Sequence, residues 1–304
     1  MSADPVPAPE SAADGKPRGQ AVLDDLVALL DLERLEDNLF RGVSPPESLP
    51  RVFGGQVAGQ ALVAAGRTVP EDRGVHSLHA YFIRPGDPRI PIVYETERVR
   101  DGRSFTTRRV LAIQRGEAIF SLSASFQLPQ EGLVHSEPMP PGVPAPDEID
   151  DLGTRALRGD GDWMADLPRP LDIRLIDEPI GSPHRTTASD EPMRLWMRAD
   201  GTLPGDRLLH VCLLTYASDL TLLGSVVARH DPPSGRLQMA SLDHAMWFHG
   251  PFRADEWLLY SCRSPAASGG RGLAGGQFFT ADGQHVATTM QEGLVRVPSR
   301  KETR

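Results

Sequence analysis

The residue with the clearest chemical potential in this sequence is a single carboxylate within an apolar stretch. Asp219 lies in "YASDLTLL" (216–223), where apolar residues recur at the spacing of a helix. On a helix it shares one face with residues three, four and seven positions away, namely Tyr216, Leu222, Leu223 and Val226. Burial of an unpaired carboxylate on that face costs several kcal/mol. Two interpretations are open: a capping or hydrogen-bonded core aspartate, or a catalytic carboxylate that orients or deprotonates a reactant.

A cluster of arginines is a second candidate for chemistry. It occupies "RVRDGRSFTTRR" (98–109) and comprises Arg98, Arg100, Arg103, Arg108 and Arg109. Such a local gathering of positive charge suits an anionic small ligand, and a solvated strand edge is the alternative. The whole chain carries a net charge of −9, so it has no excess of Lys and Arg to neutralise phosphates. The sequence therefore argues against nucleic acid as a partner.

The residue pattern gives little support to covalent catalysis. The chain lacks a G-x-S-x-G nucleophile motif, and no cysteine has an evident histidine partner. Its two cysteines, Cys212 and Cys262, do not have the spacing of metal ligands. We interpret both as buried free thiols, which fits a reducing compartment. No metal and no cofactor is expected.

Composition predicts a soluble globular protein. With 304 residues, 39% hydrophobic and 24% charged, the chain suffices for one large domain or two ordinary ones. No apolar run reaches the roughly 18 residues needed to span a bilayer, and no basic-then-apolar leader is present. The final residues, "KETR", are not a peroxisomal address. We expect a cytoplasmic protein.

The order of predicted elements occurs twice, which indicates an internal duplication. In the first half, a helix in "QVAGQALVAAGRTV" (56–69) precedes four strand-like segments. In the second half, a helix over 208–230 precedes four more. The halves also align locally: "HAYFIRP" (79–85) with "HAMWFHGP" (244–251), and "RGEAIFSLSASF" (115–126) with "DGQHVATTMQEG" (282–293). This alignment places His79 and His244 at equivalent positions.

The duplication sets the expected domain boundaries. The structured part begins with an amphipathic segment, "AVLDDLVALLDLERL" (21–35). The Pro-rich stretch between the two halves has weak periodicity and resembles a long linker with one helix at most. The predicted divisions are a disordered tail 1–20, a first unit 21–128, a linker or insertion 129–190, a second unit 191–298 and a tail 299–304.

Several motifs together resemble the acyl-CoA thioesterase II family. They are "VFGGQVAGQAL", "VHSLHAYFIRPGD", "VRDGRSFTTRRVLAIQRGEAIF", "YASDL", "LDHAMWFH" and "MQEGLV", and the resemblance extends from about residue 22 to 297. It implies an α+β fold, the double hotdog, in which each of two repeats wraps an antiparallel sheet around a central helix. The implied reaction is hydrolysis of fatty acyl-CoA to free fatty acid and CoA.

The resemblance also implies a catalytic trio. The family fixes a water with an Asp from the second-half helix, a Thr from the following strand and a Gln from the last strand. Matched motif by motif, these positions are Asp219, Ser241 and Gln291. Ser241 keeps the hydroxyl of the family's threonine but loses the methyl group that restricts its rotamer. Because the first-half helix carries no acid, we expect one active site per chain.

Four further residues are candidates for substrate contact. Gly55 and Gln56 belong, with Gly54, to the start of the first predicted helix, whose N-terminal amides can polarise a thioester carbonyl; close packing is the alternative role of the glycines. His79 either borders the site or shares a structural role with His244. Arg103 is the representative of the arginine cluster expected to hold the phosphates of CoA.

Two other functions remain to be weighed. An enoyl-CoA hydratase of the same fold needs an acid–base dyad, often an aspartate followed closely by a histidine. After Asp219 the first histidine is His230, too far along the helix. A non-catalytic acyl-CoA-binding protein would have little cause to keep Asp219, Ser241 and Gln291 together. For assembly, the exposed edges of a double sheet predict a homodimer or a larger homo-oligomer.

Overall fold

A computed structural model of the chain describes residues 10–11, 15–45, 50–157, 169–177, 187–230 and 237–297. The helices in these ranges are α1 (Gln20–Leu30), α2 (Gly54–Gly66), α3 (Leu152–Leu157), α4 (Arg207–Ser218) and α5 (Gly224–Val227). A 3-10 turn spans Pro146–Glu148. None of the helices in the described ranges is long and apolar enough to cross a membrane.

The strands of the described residues form one small and one large antiparallel sheet. The small sheet pairs β1 (Glu10–Ser11) with β2 (Pro17–Arg18), and the large one has 13 strands. In chain order these are β3 (Glu33–Glu36), β4 (Leu39–Gly42), β5 (Gly74–Phe82), β6 (Ile92–Asp101), β7 (Phe105–Gln114), β8 (Glu117–Gln127), β9 (Leu171–Leu175), β10 (Met193–Ala199), β11 (Gln238–Ser241), β12 (Asp243–Phe248), β13 (Leu258–Ser268), β14 (Arg271–Thr280) and β15 (His285–Arg296).

The strand order shows the predicted duplication. Across the large sheet the order is β3-β4-β6-β7-β8-β5-β12-β15-β14-β13-β10-β9, and β11 pairs with β15. The first half thus contributes β6-β7-β8-β5 and the second half contributes β13-β14-β15-β12 in the same order. The two halves meet where β5 pairs with β12. The prediction of a repeated helix-and-sheet unit is confirmed.

Glycines allow the two long helices to approach each other closely. A Cβ on Gly55 would lie 2.3 Å from the Tyr216 carbonyl oxygen, and one on Gly59 would lie 3.2 Å from that of Cys212. Gly66, at the end of α2, contacts Leu208, near the start of α4. The helices therefore run antiparallel, and the N-terminus of α2 lies beside the C-terminus of α4.

The predicted helix over 208–230 is interrupted at the aspartate. α4 ends at Ser218, and Asp219 is its C-cap, with φ −82° and ψ −8°. A turn leads to α5, which begins at Gly224. Because Leu222 within the turn is fully buried, the apolar spacing continues through the break, so periodicity alone does not reveal it.

Three other parts of the chain differ from the expected pattern. The amphipathic segment 21–35 contains the end of α1 at Leu30 and then most of β3. The expected linker 129–190 contributes β9, which pairs with β10 and extends the large sheet. Within the expected disordered tail 1–20, β1 and β2 pair, while residues 1–9 and 12–14 lie outside the described residues.

The expected equivalence of His79 and His244 is wrong. His79 pairs with Ala245 across β5 and β12, and Ala80 pairs with His244. Directly opposite residues share a sheet face, and here Ala80 and His244 lie on the buried face whereas His79 is exposed. The pairing symmetry makes Leu78 the counterpart of His244. A one-residue offset in the sequence alignment exchanges the two faces of a strand.

Candidate active site

The structure brings the three predicted catalytic side chains together around one carboxylate oxygen. Gln291 Nε2 donates to Asp219 Oδ1 at 2.6 Å, and Ser241 Oγ donates to the same oxygen at 3.2 Å. The backbone N–H of Gly55 also hydrogen-bonds to the carboxylate. Asp219 is thus held in one orientation by neutral donors.

The fold explains why these distant residues meet. Asp219 follows directly after α4, Ser241 is the last residue of β11, and Gln291 lies within β15. β11 pairs with β15 so that Ser241 is opposite Gly293, which places the serine near the glutamine along the sheet. Gln291 is fully buried on the inner face. It therefore contacts the Asp219 carboxylate from the core side, opposite to the cleft, and does not line the cleft.

Burial gives the Asp219 carboxylate an unusual acidity. It raises the pKa of Asp219 to about 6, and the hydrogen bonds from Gln291, Ser241 and Gly55 only partly oppose this effect. The carboxylate also lies at the N-terminus of α2, because a Cβ on Gly54 would be 2.5 Å from its Oδ2. A helix N-terminus favours negative charge. The group therefore titrates close to neutral pH and suits proton transfer.

Asp219 and Ser241 line an apolar cleft of about 420 Å³. Its apolar walls come from the start of α2, the end of β5 and β8, and they include Val57, Phe82 and Phe120. Two arginines, Arg51 and Arg84, also line it and are exposed to solvent. The cleft combines a buried carboxylate, an apolar wall and two cations, which suits a ligand with an apolar part and an anionic part.

Comparison with known proteins identifies the family. Residues 177–294 match the model described as acyl-CoA thioesterase, and residues 45–127 match that described as acyl-CoA thioesterase N-terminal domain. Acyl-coenzyme A thioesterase 8 from Homo sapiens is 41% identical over 297 residues, which cover 93% of this chain and 92% of the human protein. The chain belongs to the acyl-CoA thioesterase family.

Solved structures support the same fold for this member of the acyl-CoA thioesterase family. The acyl-CoA thioesterase II TesB2 from Mycobacterium marinum is 44% identical, with a TM-score of 0.75 over 93% of this chain and 100% of that chain. A protein of unknown function with a hot dog fold from Alicyclobacillus acidocaldarius has a TM-score of 0.74 at 22% identity. The predicted α+β double hotdog is confirmed.

Only one of the four predicted substrate contacts lies at the site of this thioesterase-family chain. Gly55 is there, through its N–H bond to Asp219. Gln56 is buried and points away, because its Nε2 donates to the Val43 carbonyl at 3.0 Å. His79 lies on the outer sheet face and packs edge-on against Trp247 at 5.2 Å. Neither residue is among those that line the cleft with Asp219.

Arg103 also lies elsewhere. Its backbone carbonyl accepts a hydrogen bond from Arg73, and Arg73 lines a cavity at the C-terminal end of α2, whereas the cleft with Asp219 lies at the N-terminal end. Sequence reasoning missed Arg51 and Arg84, which do line the cleft. A usable signal was present: both arginines are close to motifs already singled out, "VFGG" and "YFIRPGD".

Proposed function

We propose that the protein hydrolyses fatty acyl-CoA to free fatty acid and CoA, with Asp219 as the general base for an attacking water. The observation that carries the proposal is the pKa of about 6 of the Asp219 carboxylate, which neutral donors orient at the wall of an apolar cleft. A base with a pKa near the working pH is both ionised and able to accept a proton. Family membership supports the same reaction.

In the proposed mechanism, Asp219 removes a proton from the water while the water oxygen attacks the thioester carbonyl carbon. The C–O bond forms, the C–S bond then breaks, and the CoA sulfur leaves with the proton that Asp219 returns. Ser241 Oγ donates to Asp219 and keeps lone pairs that accept from the water. General-base assistance of this kind contributes about 10²- to 10⁴-fold to the rate.

The roles of the two partners of Asp219 differ in this proposal. The sequence-based hypothesis had Ser241 and Gln291 both hold the water. In the described geometry Gln291 is fully buried and donates to Asp219 Oδ1, so we assign it the task of orienting the carboxylate. Ser241 lines the cleft and is placed to contact both the carboxylate and the water. Amide groups at the start of α2, beside Gly54, stabilise the developing oxyanion.

We assign recognition of the CoA phosphates to Arg51 and Arg84. Arg51 Nη2 donates to the Met239 carbonyl at 2.9 Å, which anchors its side chain close to Ser241. Arg84 Nη1 donates to the Ala118 carbonyl at 2.7 Å. Arg84 Nε also lies 3.6 Å from the exposed Glu117 carboxylate, so a bound anion competes with that ion pair for Arg84. The other N–H groups of the two guanidiniums can donate to an anion. The acyl chain then occupies the apolar wall, and Asp219 lies between the two ends of the substrate.

The alternative hydratase function lacks its second catalytic group. His244 is buried close to the site, but its Nε2 lies 2.9 Å from Ser218 Oγ and the ring is absent from the cleft lining. No histidine among the described residues lines the cleft beside Asp219. A non-catalytic acyl-CoA-binding protein remains the outcome to be tested against hydrolysis.

The proposed function is tested by incubating the purified protein with acyl-CoAs of graded chain length and measuring the released thiol. We expect turnover with a preference set by the depth of the apolar cleft, and loss of turnover in Asp219→Asn. Saturable binding of acyl-CoA without thiol release would instead establish the binding-protein alternative. Hydration of an enoyl-CoA without thiol release would establish the hydratase.

We also propose that the protein assembles through the outer face of the sheet at the β5–β12 junction. Tyr81 is 65% exposed there, on the same sheet face as the His79–Trp247 pair, so aromatic side chains lie open on a surface that a second copy can cover. Light scattering at micromolar concentration should give the mass of a dimer or larger, and Tyr81→Lys should reduce it. A monomeric mass for the wild type would refute the proposal.

A further inference from the structure

A buried polar chain extends from the catalytic carboxylate into the core. Beyond Gln291 it reaches His244, which is 1% exposed and whose Nε2 lies 2.9 Å from Ser218 Oγ. Ala245 pairs with Met290 across the antiparallel strands β12 and β15, so the preceding residue of β12, His244, lies opposite the following residue of β15, Gln291. Both side chains lie on the inner face.

Two atoms of this row of buried polar side chains have no hydrogen-bond partner among the described residues. His244 Nδ1 and Gln291 Oε1 are both buried and lack a hydrogen bond of standard geometry to any described residue. The antiparallel register of β12 and β15 places the two residues directly opposite each other, so their side chains are neighbours on the inner face, and the Gln291 amide raises the pKa of the imidazole against the larger effect of burial. A buried polar atom without a partner costs about 1–3 kcal/mol, so a donor on Nδ1 facing the acceptor Oε1 is the favoured arrangement.

This arrangement fixes one tautomer of His244. Burial lowers the pKa of the ring to about 4, so the imidazole is neutral and has one donor and one acceptor at neutral pH. With the proton on Nδ1, His244 Nε2 accepts from Ser218 Oγ, whose single hydrogen is then directed at the imidazole and not at the Thr215 carbonyl, also 2.9 Å away, and Nδ1 donates toward Gln291 Oε1. The Gln291 amide oxygen is then turned toward His244, and the Nε2 of the same amide faces Asp219.

The first repeat provides an internal control. There the position of His244 is taken by Leu78, and Leu78 pairs with Ala124, the counterpart of Gln291 in the aligned strands β8 and β15. Both are buried. The fold therefore accepts apolar side chains at these two positions, so packing alone does not require a histidine at 244.

We propose that His244 is a positioning residue, which locks the Gln291 amide in the orientation that directs its Nε2–H at the Asp219 carboxylate. The inference rests on the proposed hydrolase function. Without the His244 imidazole, the Gln291 amide can rotate and present its oxygen to the Asp219 carboxylate. The hydrogen bond that orients the general base would then be lost. A misplacement of catalytic groups by about 1 Å costs about 10²-fold in rate.

Asp219 is the group whose titration reports this effect. Apart from the cationic Arg51 and Arg84, which line the cleft, the titratable groups around it stay neutral between pH 5 and 7, because burial raises the pKa of Tyr216 to about 12, raises that of Tyr260 well above its ordinary value and lowers that of His244 to about 4. The hydrogen bond from Gln291 lowers the pKa of Asp219. Loss of that bond should therefore raise the pKa of Asp219.

The test compares three substitutions of His244. His244→Leu introduces the residue of the first repeat, His244→Asn keeps an amide donor near the place of Nδ1, and His244→Gln places its amide near Nε2. We expect kcat of the Leu variant to fall about 10- to 100-fold with KM within twofold of wild type. The Asn variant should recover most of kcat, and the Gln variant should not.

The pKa of Asp219, followed by carbon-13 NMR titration, provides a readout independent of activity. It should rise in the Leu variant and return toward the wild-type value in the Asn variant. A Leu variant with kcat within twofold of wild type and an unmoved Asp219 titration would overturn the inference, as would equal behaviour of the Asn and Leu variants. Absence of thiol release by the wild type would instead refute the hydrolase function, while the NMR titration still tests His244.

Discussion

The backbone of Gly54 lies directly against the carboxylate of Asp219. A Cβ on Gly54 would be 2.5 Å from Asp219 Oδ2 and 2.8 Å from the Phe82 ring, closer than real Cβ contacts. Helix α2 therefore begins with a residue that leaves room for the Asp219 carboxylate. Its backbone conformation does not demand glycine, because Gly54 has no positive φ.

Gly54→Ala should accordingly disturb catalysis more than folding. Because the added methyl displaces Asp219 or Phe82, we expect kcat to fall about 10-fold or more, with a small change in melting temperature. Gly224→Ala is the matched control, since a Cβ there meets only Met193 at 3.5 Å and more. Equal kcat values for the two variants would contradict this account of Gly54.

Asp219→Asn should lose activity and gain stability at neutral pH. The neutral amide keeps the shape, but it cannot take a proton from water, so kcat should fall about 10²- to 10⁴-fold. Turnover within twofold of wild type would remove Asp219 from the catalytic role.

The stability gain of Asp219→Asn should depend on pH. The pKa of Asp219 is about 6 in the folded state against an ordinary value of 3.8, so ionisation destabilises the folded state by up to about 3 kcal/mol above pH 6. At pH 3 and below both states are largely protonated and this cost nearly vanishes. Melting temperatures at pH 8 and pH 3 should therefore differ between variant and wild type mainly at the higher pH. A constant difference would exclude the linkage.

The pH profile of wild-type activity should report the same group. kcat/KM should rise with pH and level off above an apparent pKa of about 6, because only the ionised carboxylate accepts a proton. Stopped assays from pH 3 to pH 8 at constant ionic strength measure it. A midpoint near 4 would mean that the carboxylate is not buried in the working enzyme.

Arg51→Ala should weaken binding of the CoA part of the substrate. We expect KM for acyl-CoA to rise several-fold and to become less sensitive to salt, with kcat nearly unchanged. An acyl-pantetheine thioester, which lacks the nucleotide, should show no change in KM. Arg103→Ala is the control, because its residue lies at the other end of α2. An effect of Arg103→Ala equal to that of Arg51→Ala would restore the original sequence-based hypothesis.

The three residues that the family motifs single out lie together in the structure. Motif matching needs only the types of Asp219, Ser241 and Gln291, and the fold brings them to one point without any knowledge of the loops. It could not predict that Gln291 approaches from behind the carboxylate, since burial of an amide depends on both neighbouring strands. Their catalytic roles, like the cytoplasmic location, stay predictions.

The sequence did not predict the location of side chains that depends on strand register or on the path of a loop. Alternation gives the strands of both repeats, but an alignment offset of one residue made His79 and His244 appear equivalent although they lie on opposite faces. Arg103 was singled out because charges cluster around it along the chain. Proximity in sequence says little about which end of α2 a turn reaches, whereas Arg51 precedes that helix directly.

The pairing of β5 with β12 has a consequence for how a ligand enters the cleft. Backbone hydrogen bonds tie the two halves together from Ser77–Trp247 to Tyr81–Asp243, so the halves cannot swing apart without breaking a ladder. A hinge motion between them is therefore excluded as an entry route. Admission must come from small rearrangements at the rim, where Phe82 and Leu223 are only partly buried. Amide protons of the ladder should exchange with solvent slowly even during turnover, while those of the rim exchange quickly.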